Sequence, residues 1–414
     1  MTAAKGVTGS FPSFPPEIWR VVISSASDVS EPMDNRHDGT KPLKDRFHLA
    51  KQTTSESTVY VLMFVSKSFN ALSTQFFLEK IYVRGPTQLS LLSHSLRQSP
   101  NFASKWAKWT RRFDFNYRKP TQDIYYEVEL EECLTHVLRS CQNLTHLVLE
   151  ASIVTELNGE AIVRECTESC RNLEVLHWSL HCSVQRSTFA SVFRCLKVLR
   201  LEPMTQFTCP SFSVNHIGLE EFPYLTTVEG GDDVFLAFKH VALPSLSDVY
   251  IRNDGPEDIH PTSCGKVMFA NVHGEKIKSA TIVGSNYPYP VTNLALFLLG
   301  CTNLQELVMD RTDFLRVLST DRFILPHVTR LGLTSYRRFL MVASDQLESL
   351  EHLTSNFPTL KLLRWFGEVD FPSSNLGNMP RSERFSDSNS GIRLENRDGT
   401  RLEFGWLRWR NLGT

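Results

Sequence analysis

A nine-residue pattern returns eight times between positions 141 and 365, and it limits this chain to few architectures. Its first site is apolar, its fourth is leucine or valine, and its seventh and ninth are apolar. Cys141-Gln-Asn-Leu144-Thr-His-Leu147-Val-Leu149 shows it, as does Cys170-Arg-Asn-Leu173-Glu-Val-Leu176-His-Trp178. Further copies place the fourth-site anchor at Leu196, Leu225, Leu246, Leu304, Val328 and Leu360. The copy beginning at Phe222 departs once, with Gly230 at its ninth site.

The end of each copy, apolar-x-apolar, describes a short strand with one inward face. A single strand of this kind cannot bury that face, whereas stacked copies can. The anchors step by 21 to 32 residues except for one step of 58, from Leu246 to Leu304. That gap has room for a degenerate unit around Ile277, Ala280 and Ile282. This spacing lies in the leucine-rich-repeat range. Helix-spaced apolar segments fill the intervals, among them Leu130 to Leu138, Val234 to Phe238, Leu294 to Leu299, Phe314 to Leu318 and Leu347 to Leu353. The expectation is an α/β fold of about eight to ten units: a curved solenoid with a parallel sheet on its concave side and helices on its convex side. Thr110-Arg-Arg-Phe113-Asp-Phe115 reads as its first unit. A doubly wound nucleotide-binding sheet is the competing arrangement. Against it stand the fixed period and the absence of a GxGxxG or GxxxxGK[ST] phosphate cradle.

Residues 11–83 follow another logic. Phe14-Pro15-Pro16-Glu17-Ile18-Trp19 opens a helix, with Ser13 as cap, prolines in the first turn and Glu17 at the positive end of the dipole. Trp19, Val22, Ile23 and Ala26 then fall on one helical face. A polar insertion covers 27–58, with a short helix expected near 43–51. A second helix is expected over 59–77, with Val61, Phe64, Val65, Phe69, Leu72 and Phe76 on one side. A unit of about 60 residues buries only around 60% of its surface. Such helices therefore need a covering partner, either the solenoid or another protein.

These residues also carry a resemblance. Phe14-Pro15-Pro16-Glu17-Ile18 resembles the Leu-Pro-x-Glu-Ile start of an F-box, and Val65-Ser66-Lys67-Ser68-Phe69 resembles its Val-Cys-Lys-x-Trp signature. Phe77 to Val83 resembles the segment that leaves an F-box towards the repeats. An F-box ahead of irregular leucine-rich repeats is the layout of many fungal F-box proteins. The resemblance implies that Phe14, Pro15, Glu17, Ile18, Val65 and Phe69 bind the adaptor Skp1, which joins a cullin-RING ubiquitin ligase. It implies too that the repeats select an unknown protein substrate. Phe14 and Phe69 replace the family's Leu and Trp and keep their bulk. The polar insertion is the larger departure. The other reading is a stand-alone leucine-rich-repeat scaffold whose N-terminal helices only cap the array.

Catalytic, metal and cofactor chemistry is not expected. His177-Trp-Ser-Leu-His181 has metal-ligand spacing, but on a strand and without the glutamate of HExxH. Cys166 and Cys170 lack partner ligands, and Cys170 already fills a repeat site. No GxSxG elbow occurs. Asp232-Asp233 reads as helix capping. Trp106 and Trp109, near Arg111, Arg112 and Arg118, read as packing at the head of the array. With Lys+Arg 44 against Asp+Glu 45, no nucleic-acid partner is expected. No membrane span or secretory signal is evident, and nine scattered cysteines without a CxxC pair point to a reducing cytoplasmic or nuclear setting. Asn143-Leu144-Thr145 reads as an accidental glycosylation triplet. Residues 84–370 are assigned to the solenoid. Residues 371–414 are assigned to a polar linker and a hairpin of Ile392 to Leu394 with Arg401 to Phe404, able to close the last sheet edge.

Overall fold

A computed structural model describes residues 16–27, 60–118, 127–152, 158–180, 182–185, 195–201, 205–208, 222–252, 264–283, 291–318, 323–334, 353–365 and 392–395. Among the described residues twelve strands form one sheet in chain order. These are β1 Lys80–Val83, β2 Arg112–Arg118, β3 His146–Ser152, β4 Val175–Leu180, β6 Val198–Leu201, β8 Thr227–Gly230, β9 Asp248–Arg252, β10 Ser279–Val283, β11 Glu306–Asp310, β12 Arg330–Thr334, β13 Leu362–Trp365 and β14 Arg393–Glu395. Neighbouring strands are parallel throughout and hold the register of the repeat, so Leu147 faces Leu176 and Leu176 faces Leu199. β5 Cys182–Gln185 and β7 Thr205–Thr208 form a separate parallel pair.

The seventh and ninth sites are buried as the pattern requires, Leu147, Leu149, Leu176, Trp178, Leu307 and Met309 among them. They belong to one continuous core running from Leu78 to Leu360. Each such side chain contributes about 1.5–3 kcal/mol on burial. Helices between the strands form a second layer. Glu127–Arg139 packs on Gly159–Ser169, and Asp232–Phe238, Gly265–His273, Val291–Gly300 and Arg311–Leu318 pack in succession. Packed helices sit about 8–10 Å apart and paired strands about 4.8 Å. Units that supply one of each must therefore curve with the helices outside.

A second, polar repeat locks the stack. The fifth-site N–H of each unit donates to the fifth-site carbonyl of the unit before: Thr145 to Arg111, Glu174 to Thr145, Lys197 to Glu174, and onward to Lys361 and Thr329, all at 2.8–2.9 Å. Third-site side chains reach the preceding unit as well. The Asn143 amide donates to the Ala107 carbonyl (2.9 Å), Ser245 to Pro223 (2.5 Å), Asn303 to Glu275 (2.7 Å) and Thr359 to Pro326 (2.7 Å). Asn143 is thus an inter-unit stitch.

The degenerate unit lies where expected, with Ile277, Ala280 and Ile282 buried around β10. Gly230 breaks the template because a Cβ there would lie 2.6 Å from the Val234 side chain, which fills that space. Twelve strands exceed the eight to ten units expected, because the sheet gains one strand at each end. β1 lies within the segment assigned to the N-terminal module, so the array begins at Lys80 and not at Thr110. At the far end β14 pairs in parallel with β13 and extends the sheet; the second arm of the expected hairpin lies outside the described residues. The expected helix over 59–77 is broken. Residues 63–65 form a turn, and the helix proper is Lys67–Glu79.

Candidate functional site

The N-terminal helices build the site. Helix Pro16–Ser27 packs on helix Lys67–Glu79, which packs in turn on helix Pro100–Trp109 of the first unit and runs directly into β1. Trp19 and Phe69 meet edge to face, with ring centroids 4.7 Å apart at 66°. Ser66 starts the second helix: its Oγ accepts from the Phe69 N–H (3.2 Å), and its extended backbone turns the chain. The Asn70 amide donates to the Met63 carbonyl (2.9 Å) and fixes the preceding turn. Hydrogen bonds from the Met63, Phe64 and Val65 N–H groups to Tyr60, Val61 and Leu62 close that turn.

The consequence is an apolar face turned outwards. Phe64 is 73% exposed, Val65 59% and Val61 62%, and Tyr60 lies against Phe64 at 5.0 Å. On the first helix Ile18, Val21 and Val22 are exposed while Ile23 is buried. Soluble proteins rarely leave so many large apolar side chains open on adjoining elements without a binding role.

Of the site residues expected from sequence, Phe14 and Pro15 lie outside the described residues. Glu17 is exposed on the first turn, Ile18 and Val65 are exposed, and Phe69 is half-buried against Trp19. The helix pairing therefore brings Phe69 beside the neighbour of Ile18, with Val65 one turn away. The expected sides need correction. Val22 does not share the buried side of Ile23, and Val61, Phe64 and Val65 point away from the protein because the turn at 63–65 ends the helical period. Sequence reading also passed over Val21, and over Tyr60 and Phe64 as an outward pair; the serine cap at Ser66 was the available signal.

On the repeats, several positions between the anchors are taken up by packing. Val148, Val175 and His177 are buried, and Val148, Val175 and Val198 form a small apolar cluster of their own. The Thr145 hydroxyl is committed to the Arg111 carbonyl (3.1 Å). The same sheet face carries ion pairs across strands. Glu229 Oε1 accepts from Arg252 Nε (2.5 Å) and forms an ion pair with Arg200 at 3.0 Å, and within β2 Arg112 grips Asp114 through two nitrogens at 2.8–3.1 Å.

The other sequence candidates resolve as packing. Trp106 is buried and donates its indole N–H to Cys141 Sγ (3.1 Å). Burial pushes the Cys141 thiol far up and the Cys301 thiol up to about 12, so both stay protonated. The Cys166 thiol is raised chiefly by its hydrogen bond with the free Cys170 thiol and then by burial. His177 lies on β4 and His181 outside the described residues. Among the described residues no three His, Cys, Asp or Glu side chains group as metal ligands, and no helix is long and apolar enough to cross a membrane. Asp232 does cap a helix, but chiefly that of the next unit. Its carboxylate accepts from the Gly265 N–H (2.8 Å) and the Lys266 N–H (3.1 Å).

No family model and no curated protein matches the chain. Among solved structures it is similar to a protein of Bacteroides fragilis, with 11% identity, coverage of 80% of this chain and 84% of that one, and a TM-score of 0.40. It is similar too to LegL7, a leucine-rich repeat-containing protein of Legionella pneumophila, with 12% identity, coverage of 79% and 93%, and a TM-score of 0.41.

Proposed function

We propose that this protein is a non-catalytic protein-interaction subunit and, more specifically, the substrate-recognition subunit of a Skp1-cullin-F-box-type ubiquitin ligase. One observation carries the reading. The apolar side chains left open on the first helix and on the turn before the second include Ile18 and Val65, which match the F-box signatures. A cap would turn those residues inwards. The expected partner is a Skp1-like adaptor, with the repeats holding a protein substrate near the ubiquitin carrier. Tethering raises effective concentration, so the chain needs no acid, base or nucleophile of its own. The absence of a linker between helix Lys67–Glu79 and β1 supports the reading, since it fixes the docking face relative to the repeats.

The second reading, a stand-alone scaffold, is favoured by the packing of Lys67–Glu79 on the first unit, which shields the open end of the core. Co-expression with a Skp1-like adaptor separates the two. The ligase subunit co-purifies with the adaptor, and Ile18→Asp or Val65→Asp abolishes co-purification while far-ultraviolet circular dichroism stays unchanged. Failure of the wild-type chain to bind, or retained binding in both variants, overturns the ligase reading.

A further inference from the structure

Between Glu79 and Asp114 the chain holds seven Lys and Arg residues and no acid, although acids and bases balance over the whole sequence at 45 and 44. The fold concentrates these cations at the head of the array. Helix Pro100–Trp109 exposes Asn101, Ser104, Lys105 and Lys108, a helical stripe with both lysines on one face. Arg97 is exposed in the last turn of the preceding helix, Pro86–Gln98, three residues before the next begins at Pro100. Arg111 is exposed just beyond Trp109, where its backbone N–H bonds the Glu79 carbonyl (2.9 Å). The nearby Asp114 carboxylate is engaged by Arg112 and does not offset these charges.

We propose that the basic face formed by Arg97, Lys105, Lys108 and Arg111 binds an acidic segment of a protein partner. Its chemistry separates this ligand from other polyanions. Single-stranded nucleic acid is held by aromatic rings open to its bases, but Trp106 is buried and Trp109 packs against the core. A membrane-surface helix sets large apolar side chains beside its cations, whereas the exposed stripe here is polar apart from the lysine stems. What remains is a solvent-exposed set of positive charges, of which Arg111 also donates through Nη1 to the Asn143 carbonyl (3.1 Å), with serine and asparagine donors between them, suited to a flexible run of carboxylates. The proposal shares no residue with the apolar face above and stands or falls apart from it.

The test uses the full-length chain and a fluorescent peptide of roughly ten glutamates, by anisotropy at about 150 mM salt. Binding is expected, weakened about ten-fold or more by Lys105→Glu with Lys108→Glu and by an intermediate factor by the glutamine pair. Lys361→Glu, exposed at the far end of the sheet, should leave it unchanged. No binding of the peptide, equal affinity in the charge-reversed pair, or tighter binding of an oligonucleotide or of phosphatidylserine vesicles would overturn the proposal.

Discussion

Trp19 and Phe69 stand edge to face at 4.7 Å and join two helices whose intervening chain is more than 30 residues long. This contact couples the exposed apolar residues of the first helix to the turn that projects Phe64 and Val65. An aromatic pair of this geometry contributes about 0.5–1.5 kcal/mol beyond its buried area. Trp19→Ala should therefore raise hydrogen exchange across Pro16–Ser27 and, under the proposed function, weaken adaptor binding, with protection of the strand amides unchanged. Loss of protection throughout the sheet would contradict this local role.

The Asp232 carboxylate joins two units by capping the helix that begins at Gly265, with the Lys266 ammonium 3.9 Å away. Asp232→Ala should cost about 2–3 kcal/mol in urea unfolding, because buried N–H donors lose their acceptor. Asp232→Asn keeps one acceptor oxygen and should recover part of the loss.

Close backbone approach explains two glycines. A Cβ on Gly265 would lie 2.4 Å from the Asp232 carbonyl oxygen, and one on Gly274 would lie 2.1 Å from that of Gly300. Neither oxygen can move without shifting a neighbouring unit. Gly265→Ala and Gly274→Ala should each cost at least about 2 kcal/mol, read as a lowered melting temperature. Gly231→Ala, whose nearest contact is 4.0 Å, serves as the tolerated control.

Burial, and then the neighbouring Asp310 charge, push the Asp313 carboxyl up to about 6 against an ordinary 3.8. Between those values the folded state binds more protons than the unfolded chain, so stability falls as pH rises through that window. Asp313→Asn should then raise the melting temperature at pH 7, by roughly 1–2 kcal/mol in stability, and change it little near pH 4. Equal effects at both pH values would show that another interaction of Asp313 dominates.

The units with a full template were legible because leucine at a fixed spacing leaves few ways to bury itself. Even the weak unit at Ile277 could be placed from the gap alone. The ends were not legible. β1, Lys80-Ile-Tyr-Val83, follows an anchor at Leu78 but has polar Gln75 at the template's first site, and it became a strand because Arg112 to Phe115 offered a partner edge. The direction of Phe64 was hidden for another reason. Its spacing fits a continuous helix, and only the Ser66 cap and the Asn70 bond to Met63 turn it outwards.

Periodicity in the amino-acid order determined that this chain stacks strands and helices into a solenoid, because every unit needs its neighbours to bury its apolar sites. Tertiary contacts decided which apolar residues stay outside. Exposure depends on what the rest of the chain covers, so the open face at Ile18 and Val65 and the basic face at Lys105 and Lys108 emerge only once the helices are packed.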